Sequence, residues 1–386
     1  MCTSTALRSA LFAYPWALQR PNLDAALDRV VASGCDELVV TPCYHRADFF
    51  QPADPSMPIC YGEYGAVFFG IDESLYDETP IRPRLSRLVD DPDDLLRAAE
   101  AVRARDIELS LWMIYNFQDE LSDVFPQFAR HDPFGNAHRG GLSLGAPEVA
   151  AYFLAQTRDV LTRFSPSTVW IESLYRRGMG MPSKSRGPIT PRSQFLLSLD
   201  WNQGMRSQAE ASGVPADALC ADVANWLRDD LARMPTNKTN GAVDEDWLAG
   251  AFDGGLGAYV DLCREVTTRL WEQTGQLIHD AGSRIYHQPV GANSLGTDLD
   301  ARVNASMDRL MISPADAAEL QAAREGIDSR QIYVPYHGQY DDKETLVHDV
   351  QHASSIGADG VSFYAYGLLR DEQLSWIREA VRKTAG

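Results

Sequence analysis

Short apolar runs alternate with segments of helical spacing along the whole chain. The runs span four to eight residues and are rich in β-branched and aromatic side chains, which is typical of buried parallel strands. Longer segments between them repeat apolar residues at helical intervals, as in Leu23–Ser33, which is followed by Gly34. Alternation of this kind predicts a parallel sheet with crossover helices.

Eight strands can be counted, and they are separated by helices. The predicted strands are Ala10–Tyr14, Glu37–Thr41, Ile107–Ile114, Thr168–Ile171, Arg284–His287, Arg309–Ile312, Gln331–Val334 and Gly360–Tyr364. The clearest predicted helices are Leu23–Ser33, Asp91–Arg105, Pro147–Phe164, Leu256–Asp280 and Asp371–Lys383. Eight strands with intervening helices is the count of a (β/α)8 barrel, so we predict an α/β protein with a single TIM barrel over residues 1–386.

Two long insertions interrupt the regular alternation. Residues 44–90 are rich in proline, aspartate and aromatic side chains, and residues 173–283 contain a loop rich in Gly, Pro and Ser followed by several helical segments. The insertions follow the second and fourth strands. Because loops that follow strands lie on the catalytic face of a barrel, we expect both insertions to cover the active-site face.

The charge of the chain excludes some classes of partner. The formal net charge is -19, whereas nucleic acids and anionic membranes require a basic surface. No apolar run approaches the roughly 18 residues of a membrane helix, and the N-terminus lacks the pattern of a signal peptide. The six cysteines are scattered, as in a protein of a reducing compartment. We therefore expect a soluble, cytoplasmic protein; association into a homo-oligomer stays open.

Residues that follow the predicted strands should meet at one mouth of the barrel. They are mostly aromatic or neutral and polar, and no glycine-rich phosphate cradle or basic cluster appears among them. Flat rings and neutral hydrogen-bonding groups suit the faces and hydroxyls of sugars, so we expect a small-molecule carbohydrate as the substrate. The predicted substrate-binding residues are Tyr14, Trp16, Tyr44, His45, Tyr115, Asn116, His287, Gln288, Tyr336, His337 and Tyr366.

Glu172 is the strongest catalytic candidate. It follows Val169–Ile171 directly and should lie at the carboxyl end of the fourth strand. Burial among aromatic rings favours the protonated form of a carboxyl group, which would let Glu172 act as a general acid. The alternative is a purely structural ion pair with Arg176 or Arg177.

Hydrolysis of a glycosidic bond usually needs a second carboxylate. Asp316, after the sixth strand, is the predicted partner, and Asp200, Asp298 and Asp341 are weaker candidates. Asp316 also stands where the N-cap of the next helix is expected, and this structural alternative is at least as well supported.

The histidines support a different hypothesis. His45, His287 and His337 follow three different strands, and three imidazoles at one mouth can hold Zn²⁺ or Mn²⁺. A sugar isomerase, epimerase or lyase would use such a metal. We nevertheless expect sugar binding as the role of these residues, with no metal and no cofactor. A non-catalytic carbohydrate-binding barrel is the third hypothesis.

Several motifs resemble bacterial TIM-barrel proteins of a glycoside-hydrolase-like family. They cover most of the chain from about residue 100 onward, in the same order. The motifs are Asp132–Gly135, Leu142–Val149, Ile171–Leu174, Phe195–Asn202, Met205–Gly213 and Phe363–Arg370.

The resemblance implies a barrel fold, a carbohydrate substrate, and Glu172 as the acid of the Glu-Ser-Leu motif. This chain departs from the family's pattern in two places. Asp200–Asn202 replaces a Cys-x-Cys-like element, and Tyr175–Met181 replaces a histidine-rich loop. The strand-end position of Glu172 and the resemblance together make a glycoside hydrolase or transglycosidase that uses Glu172 as acid and base the leading hypothesis.

Overall fold

Eight parallel strands close into a barrel in the computed structural model. It describes residues 7–19, 21–54, 56–63, 65–117, 119–176, 189–233, 241–290, 297–314, 316–324, 331–336 and 341–384. The barrel strands are β1 (Arg8–Ala13), β2 (Glu37–Val40), β3 (Glu108–Ile114), β4 (Thr168–Glu172), β5 (Arg284–His287), β6 (Arg309–Met311), β7 (Gln331–Tyr336) and β8 (Gly360–Phe363).

The strands are arranged in the order of the sequence, and β8 closes the barrel against β1. In register, Leu11 of β1 pairs with Phe363 on one side and with Leu38 of β2 on the other. The predicted (β/α)8 barrel is thus confirmed, and each predicted strand agrees with the observed one to within two residues at either end.

Twelve α-helices lie in the described part of the chain. They are α1 (Leu23–Ser33), α2 (Asp94–Arg103), α3 (Asp119–Val124), α4 (Pro147–Phe164), α5 (Pro191–Ser198), α6 (Gln203–Ala211), α7 (Ala216–Leu231), α8 (Glu245–Gly250), α9 (Gly255–Asp280), α10 (Ala317–Arg324), α11 (Lys343–Ser355) and α12 (Asp371–Arg382). None of these helices is long and apolar enough to cross a membrane.

Local sequence explains the ends of the helices around the barrel. Gly34 adopts a left-handed conformation (φ 77°) after α1, and its amide donates to the carbonyl of Val31. Such a φ is strained for residues with a Cβ, so glycine is favoured at this position. Pro147 begins α4, where its missing N–H costs no helical hydrogen bond.

Charged side chains fill the amino-terminal end of the barrel interior. Arg309 and Glu37, the first residues of β6 and β2, are 1% and 2% exposed, and Arg309 Nη1 lies 2.9 and 2.7 Å from the two carboxylate oxygens of Glu37. Arg309 Nε also donates to Gln331 Oε1 at 2.8 Å. Glu108 accepts from Arg8 at 2.6 Å and from Arg284. This network closes the end of the barrel opposite Glu172 with paired charges.

The two long connections form additional structure. Between β2 and β3, Asp48–Phe50 and Ile59–Tyr61 pair as an antiparallel hairpin. Between β4 and β5, α5–α9 enclose a second apolar core in which the rings of Trp201 and Tyr259 stack at 4.5 Å. The predicted covering of the active-site face by residues 44–90 and 173–283, and the assignment of the chain to one domain, stay predictions.

Candidate functional site

Three aromatic side chains from β1, β3 and β4 fill the barrel beneath Glu172. The rings of Trp112 on β3 and Trp170 on β4 stack at 5.2 Å with 19° between their planes. Phe12 on β1 meets both edge-on, at 5.5 and 4.7 Å. Because these three rings contact one another inside the barrel, we call Phe12, Trp112 and Trp170 the aromatic floor.

Glu172 lies directly above the aromatic floor. It is the last residue of β4 and stands two positions after Trp170, so both side chains point into the barrel. Its Oε2 accepts a hydrogen bond of 2.6 Å from the indole Nε1 of Trp112. Glu172 is half-buried at the mouth of the barrel. The neutral indole N–H of Trp112 orients its carboxyl group.

Three tyrosine hydroxyls meet at the same mouth. Tyr14 Oη lies 3.1 Å from Tyr44 Oη and is hydrogen-bonded to Tyr364 Oη, and the hydroxyls of Tyr44 and Tyr364 are 3.4 Å apart. Burial raises the pKa of Tyr14 and of Tyr44 far above the usual value for a phenol. Glu172 adds to the shift at Tyr44 through its charge. The buried hydroxyls of Tyr14 and Tyr44 are therefore neutral, and we call Tyr14, Tyr44 and Tyr364 the tyrosine cluster.

The indole of Trp16 supports the tyrosine cluster from one side. It stacks on Tyr14 at 4.6 Å with only 5° between the planes, and it is almost fully buried. Its Nε1 donates to Gln51 Oε1 at 2.6 Å, and Gln51 Nε2 donates to the carbonyl of Met57. The mouth is thereby tied to the hairpin of the first insertion.

His45 extends the ring stack away from Glu172. Tyr44 meets Trp112 edge-on at 5.4 Å, and His45 stacks on Tyr44 at 4.3 Å. Phe117, beyond the end of β3, stacks on the other side of His45 at 4.1 Å. Rings thus follow one another from Glu172 to the outer rim of the mouth.

His287 is the last residue of β5, and one of its ring nitrogens is hydrogen-bonded to the backbone. Its Nδ1 lies 2.5 Å from the carbonyl oxygen of Gln288, which can only accept, so Nδ1 carries the proton. Burial lowers the pKa of His287 to about 4, so the ring is neutral near pH 7 and its Nε2 carries a lone pair. Trp271 packs against the ring at 4.8 Å. Gln288 is exposed, and Tyr336 at the end of β7 is half-buried against Phe363.

Three of the predicted substrate-binding residues make contacts elsewhere. Tyr115 is fully buried, and its hydroxyl lies 3.0 Å from Thr157 Oγ1 on α4, outside the barrel interior. Asn116 bonds the backbone of Leu142 and the carbonyl of Tyr175, and so joins two loops. The buried Tyr366 receives a hydrogen bond from Arg29 Nη1 on α1 at 3.3 Å.

The predicted partner carboxylates are also engaged away from Glu172. Asp316 is exposed, and its Oδ1 accepts from the amide of Glu319 at 2.9 Å, which is the N-cap interaction of α10. Asp298 pairs with the buried Arg176 through two oxygens. Asp200 is buried and accepts from the amide of Asn202, and burial raises its pKa. Asp341 is exposed.

Two of the three histidines considered as metal ligands, His45 and His287, lie in the described part of the chain. Within the described ranges, no group of three or more His, Cys, Asp or Glu side chains is arranged to hold a metal ion. His337 lies outside the described residues. The predicted set of His45, His287 and His337 therefore stays a prediction, as does the sugar-binding role of His337.

Reasoning from strand ends missed the residues beneath the mouth. The pattern of apolar runs indicates Trp112 and Trp170 only as strand residues, although Trp170 shares the inward parity of Glu172. Tyr364, which completes the tyrosine cluster, directly follows β8. A strict count in steps of two along β4 and β8 would have indicated Trp170 and Tyr364, because alternate strand residues share a face. The contact between Trp112 and Glu172 depends on the register of two strands.

Solved structures with the same fold include several glycoside hydrolases. A PgaB (BpsB) glycoside hydrolase domain from Bordetella bronchiseptica is 12% identical with a TM-score of 0.56, over 99% of both chains. Alpha-L-fucosidase isoenzyme 2 from Paenibacillus thiaminolyticus is 10% identical with a TM-score of 0.56. A beta-galactosidase from the haloarchaeon Halorubrum lacusprofundi is 12% identical with a TM-score of 0.55.

The extent of these matches differs among the solved structures. The matches to the fucosidase and to the beta-galactosidase each cover 98% of this chain. They cover only 49% of the fucosidase chain and 58% of the beta-galactosidase chain. No protein-family model matches the sequence, and no curated protein matches it. At such low identity the likeness shows the barrel fold, which is the fold of these glycoside hydrolases.

Proposed function

We propose that this protein hydrolyses, or transfers, a glycosidic bond at the barrel mouth, with Glu172 as the acid and base. The observation that carries the proposal is the position of Glu172 at the carboxyl end of β4, above the aromatic floor and hydrogen-bonded to Trp112. Catalytic groups of TIM barrels stand at this end of the strands. The barrel fold shared with glycoside hydrolases agrees with the proposal.

The proposed first step is protonation of the leaving oxygen. Glu172 gives its proton to the glycosidic oxygen as the bond from that oxygen to the anomeric carbon breaks. The half-buried rings of His45 and Tyr364 at the mouth offer surfaces to the C–H faces of the sugar. Glu172, now a carboxylate, takes a proton from the water or alcohol that attacks the anomeric carbon in the second step.

The group that attacks the anomeric carbon determines which substrates should be tested. Asp316, Asp298 and Asp200 are engaged elsewhere, and the raised pKa of Tyr14 and of Tyr44 disfavours a phenolate nucleophile. Glycosides with a 2-acetamido group can supply their own nucleophile, so they belong in the substrate panel beside simple hexosides. The hydroxyl of the half-buried Tyr364 would donate a hydrogen bond to a substrate oxygen.

The test is turnover of 4-nitrophenyl hexosides and 2-acetamido-hexosides by the wild-type protein and by Glu172→Gln. We expect nitrophenol release from at least one glycoside, a loss in the variant of about 10²-fold or more in kcat, and an unchanged melting temperature. Glu100→Gln, the same change at an exposed position of α2, is the matched control and should retain full activity. Equal turnover in Glu172→Gln would exclude the proposed role.

A non-catalytic carbohydrate-binding barrel is the second candidate. It is favoured by the engagement of the predicted partner carboxylates in other contacts, notably the capping role of Asp316. Its signature would be saccharide binding in calorimetry with no turnover of any glycoside in the panel. Turnover that depends on Glu172 would reject it.

A further inference from the structure

A cleft of about 700 Å³ opens beside the mouth rather than directly over Glu172. One wall comes from the connection between β2 and β3, and the other comes from α3 and the segment after it. We call it the rim cleft; its lining includes Arg46, Asp48, Tyr61, Arg84, Glu120 and Arg139. This volume lies within the roughly 300–1,000 Å³ that is usual for small-molecule sites.

Opposite charges are paired in the lining of the rim cleft. Its described lining contains four arginines and four acidic side chains. Arg84 Nη2 donates to Glu120 Oε2 at 2.8 Å, and Arg139 lies 3.5 Å from Asp123. An anionic ligand would meet four carboxylates here. Sugar hydroxyls both donate and accept, so they can bond guanidinium and carboxylate groups alike, and these paired charges therefore favour an uncharged polyhydroxyl ligand.

The inner wall of the rim cleft is rigidly held. The largely buried Glu63 accepts from Ser86 Oγ and from the amide of Arg87, both at 2.7 Å. Hydrogen bonds from Arg87 and Ser86 and the charge of Arg84 outweigh burial and hold the pKa of Glu63 at about 2. Arg84 also reaches Glu120, so it connects the two walls. A cleft built in this way exists before a ligand arrives.

Tyr61 supplies an exposed ring at this cleft. Its side chain is 67% exposed and lies on the outer face of the hairpin, whereas its neighbour Cys60 is buried on the opposite face. Solvent-exposed aromatic rings beside hydrogen-bonding groups match the alternation of C–H faces and hydroxyls on a sugar. Tyr61 therefore offers a platform on which a sugar ring can stack.

The rim cleft is connected to Glu172 by the stack of rings. From Trp112, which bonds Glu172, the path passes through Tyr44 and His45 to Phe117 in three ring-to-ring steps of 5.4, 4.3 and 4.1 Å. Arg46, which lines the cleft, follows His45 in the chain. Trp112 and Tyr44 are almost fully buried, whereas His45 and Phe117 are half-buried, so the rim cleft lies beside the outer end of this stack.

We propose that the rim cleft binds the sugar units of an uncharged saccharide chain that extends beyond Glu172. This inference rests on the proposed function and deepens it, because it makes the natural substrate an oligosaccharide rather than a simple monosaccharide glycoside. Tyr61 is the platform for a sugar ring, and the arginines and acids of the rim cleft bind its hydroxyls.

The test measures affinity against chain length. Glu172→Gln protein is titrated calorimetrically with mono-, di-, tetra- and hexasaccharides of β-1,4-linked glucose, galactose and N-acetylglucosamine, and with oligogalacturonates. We expect the Kd in at least one uncharged series to fall about tenfold or more from disaccharide to hexasaccharide, the equivalent of about 1.4 kcal/mol. Tyr61→Ala, introduced into the same protein, should abolish this gain.

Phe50→Ala is the matched control. Phe50 is 59% exposed on the same face of the hairpin but is not among the residues that line the cleft, so its removal should preserve the gain. Affinity independent of chain length, a gain that survives Tyr61→Ala, binding of oligogalacturonates alone, or no binding would each overturn the inference. Turnover of nitrophenyl monosaccharides depends only on the mouth, so it reports on the proposed hydrolysis separately.

Discussion

The indole nitrogen of Trp112 donates a 2.6 Å hydrogen bond to the carboxylate oxygen Oε2 of Glu172. The two residues belong to adjacent strands: Trp112 pairs in register with Trp170, and Glu172 pairs with Ile114. The bond is therefore diagonal across the inner face of β3 and β4. It restricts the rotation of the carboxyl group that we propose as acid and base, and it makes Trp112 the positioning residue for that group.

Trp112→Phe should lower kcat strongly and leave KM nearly unchanged. Hydrogen bonds to charged groups contribute about 1.5–3 kcal/mol, so the expected loss is roughly 10- to 150-fold. The measurement is steady-state kinetics on a glycoside that the wild-type protein turns over. Trp170→Phe makes the same change at the neighbouring position and preserves the bond to Glu172, so its kcat should fall several-fold less. Equal losses in both variants would argue that the indole bond does not orient Glu172.

Tyr14→Phe should reduce activity, whereas Tyr115→Phe should not. The hydroxyl of Tyr14 belongs to the tyrosine cluster at the mouth, while that of Tyr115 bonds Thr157 on α4. Loss of a neutral hydrogen bond costs about 0.5–1.5 kcal/mol, so we expect a fall in kcat/KM of roughly 2- to 12-fold for Tyr14→Phe. Both variants should show a slightly lower melting temperature, and a kinetic defect in Tyr115→Phe would contradict the assignment of that hydroxyl.

Asp316→Ala should affect stability rather than turnover. The carboxylate caps α10, and loss of an N-cap costs about 0.5–2 kcal/mol. Activity should stay within about twofold of wild type, because an exposed capping residue does not change the transition state. Asp316→Asn retains a side chain that can cap and should recover most of the stability. A hundredfold fall in kcat for both variants would instead support the catalytic role predicted from the sequence.

Acidification should destabilise the protein partly through His287. Its folded pKa is about 4, below the usual value of about 6.5 for an unfolded histidine, because burial disfavours the charged ring. The unfolded chain therefore binds the proton first, and this contribution to stability is present above pH 6.5 and is lost as the pH falls toward 4. Melting temperatures of wild type and His287→Gln, measured from pH 7.5 to 4.5, should converge at low pH. The substitution of exposed His348 by glutamine should leave the wild-type profile unchanged.

Arg309→Met should destabilise the barrel strongly. The side chain of Glu37 would keep its charge in the barrel interior without its main partner, a change that typically costs about 3–5 kcal/mol. Adding Glu37→Gln should restore part of the loss, because it removes the unpaired charge. Arg105→Met breaks an ion pair with the exposed Asp24 and should cost at most about 1 kcal/mol. Urea denaturation checks all three proteins, and a small effect of Arg309→Met alone would contradict this account.

The barrel itself could be predicted because its signal is local. Each strand is a short apolar run bounded by turns, and helices such as α1 and α4 have the predicted bounds, Leu23–Ser33 and Pro147–Phe164. Eight such units have few ways to bury their apolar faces, and closure of β8 against β1 follows from the count. The carboxyl-end position of Glu172 followed from the same reasoning.

The site was predicted less completely, because neighbouring residues at a strand end point in opposite directions. Tyr14 and Tyr115 both follow strands, yet one hydroxyl joins the mouth and the other contacts α4. Asp316 follows β6, but its carboxylate caps the start of α10 by accepting from the amide of Glu319. A shift of one residue along a strand turns a side chain from the inside of the barrel to the outside.

Periodicity along the chain was sufficient for the strands, the helices and the position of Glu172, since these depend on backbone patterns of near neighbours. The packing of the barrel decided which side chains surround that carboxyl group: Trp112 from β3, the tyrosine cluster from three separate segments, and the rim cleft from two loops. The physical reason is that contacts between residues distant in the chain depend on strand register and side-chain direction, which no local pattern encodes.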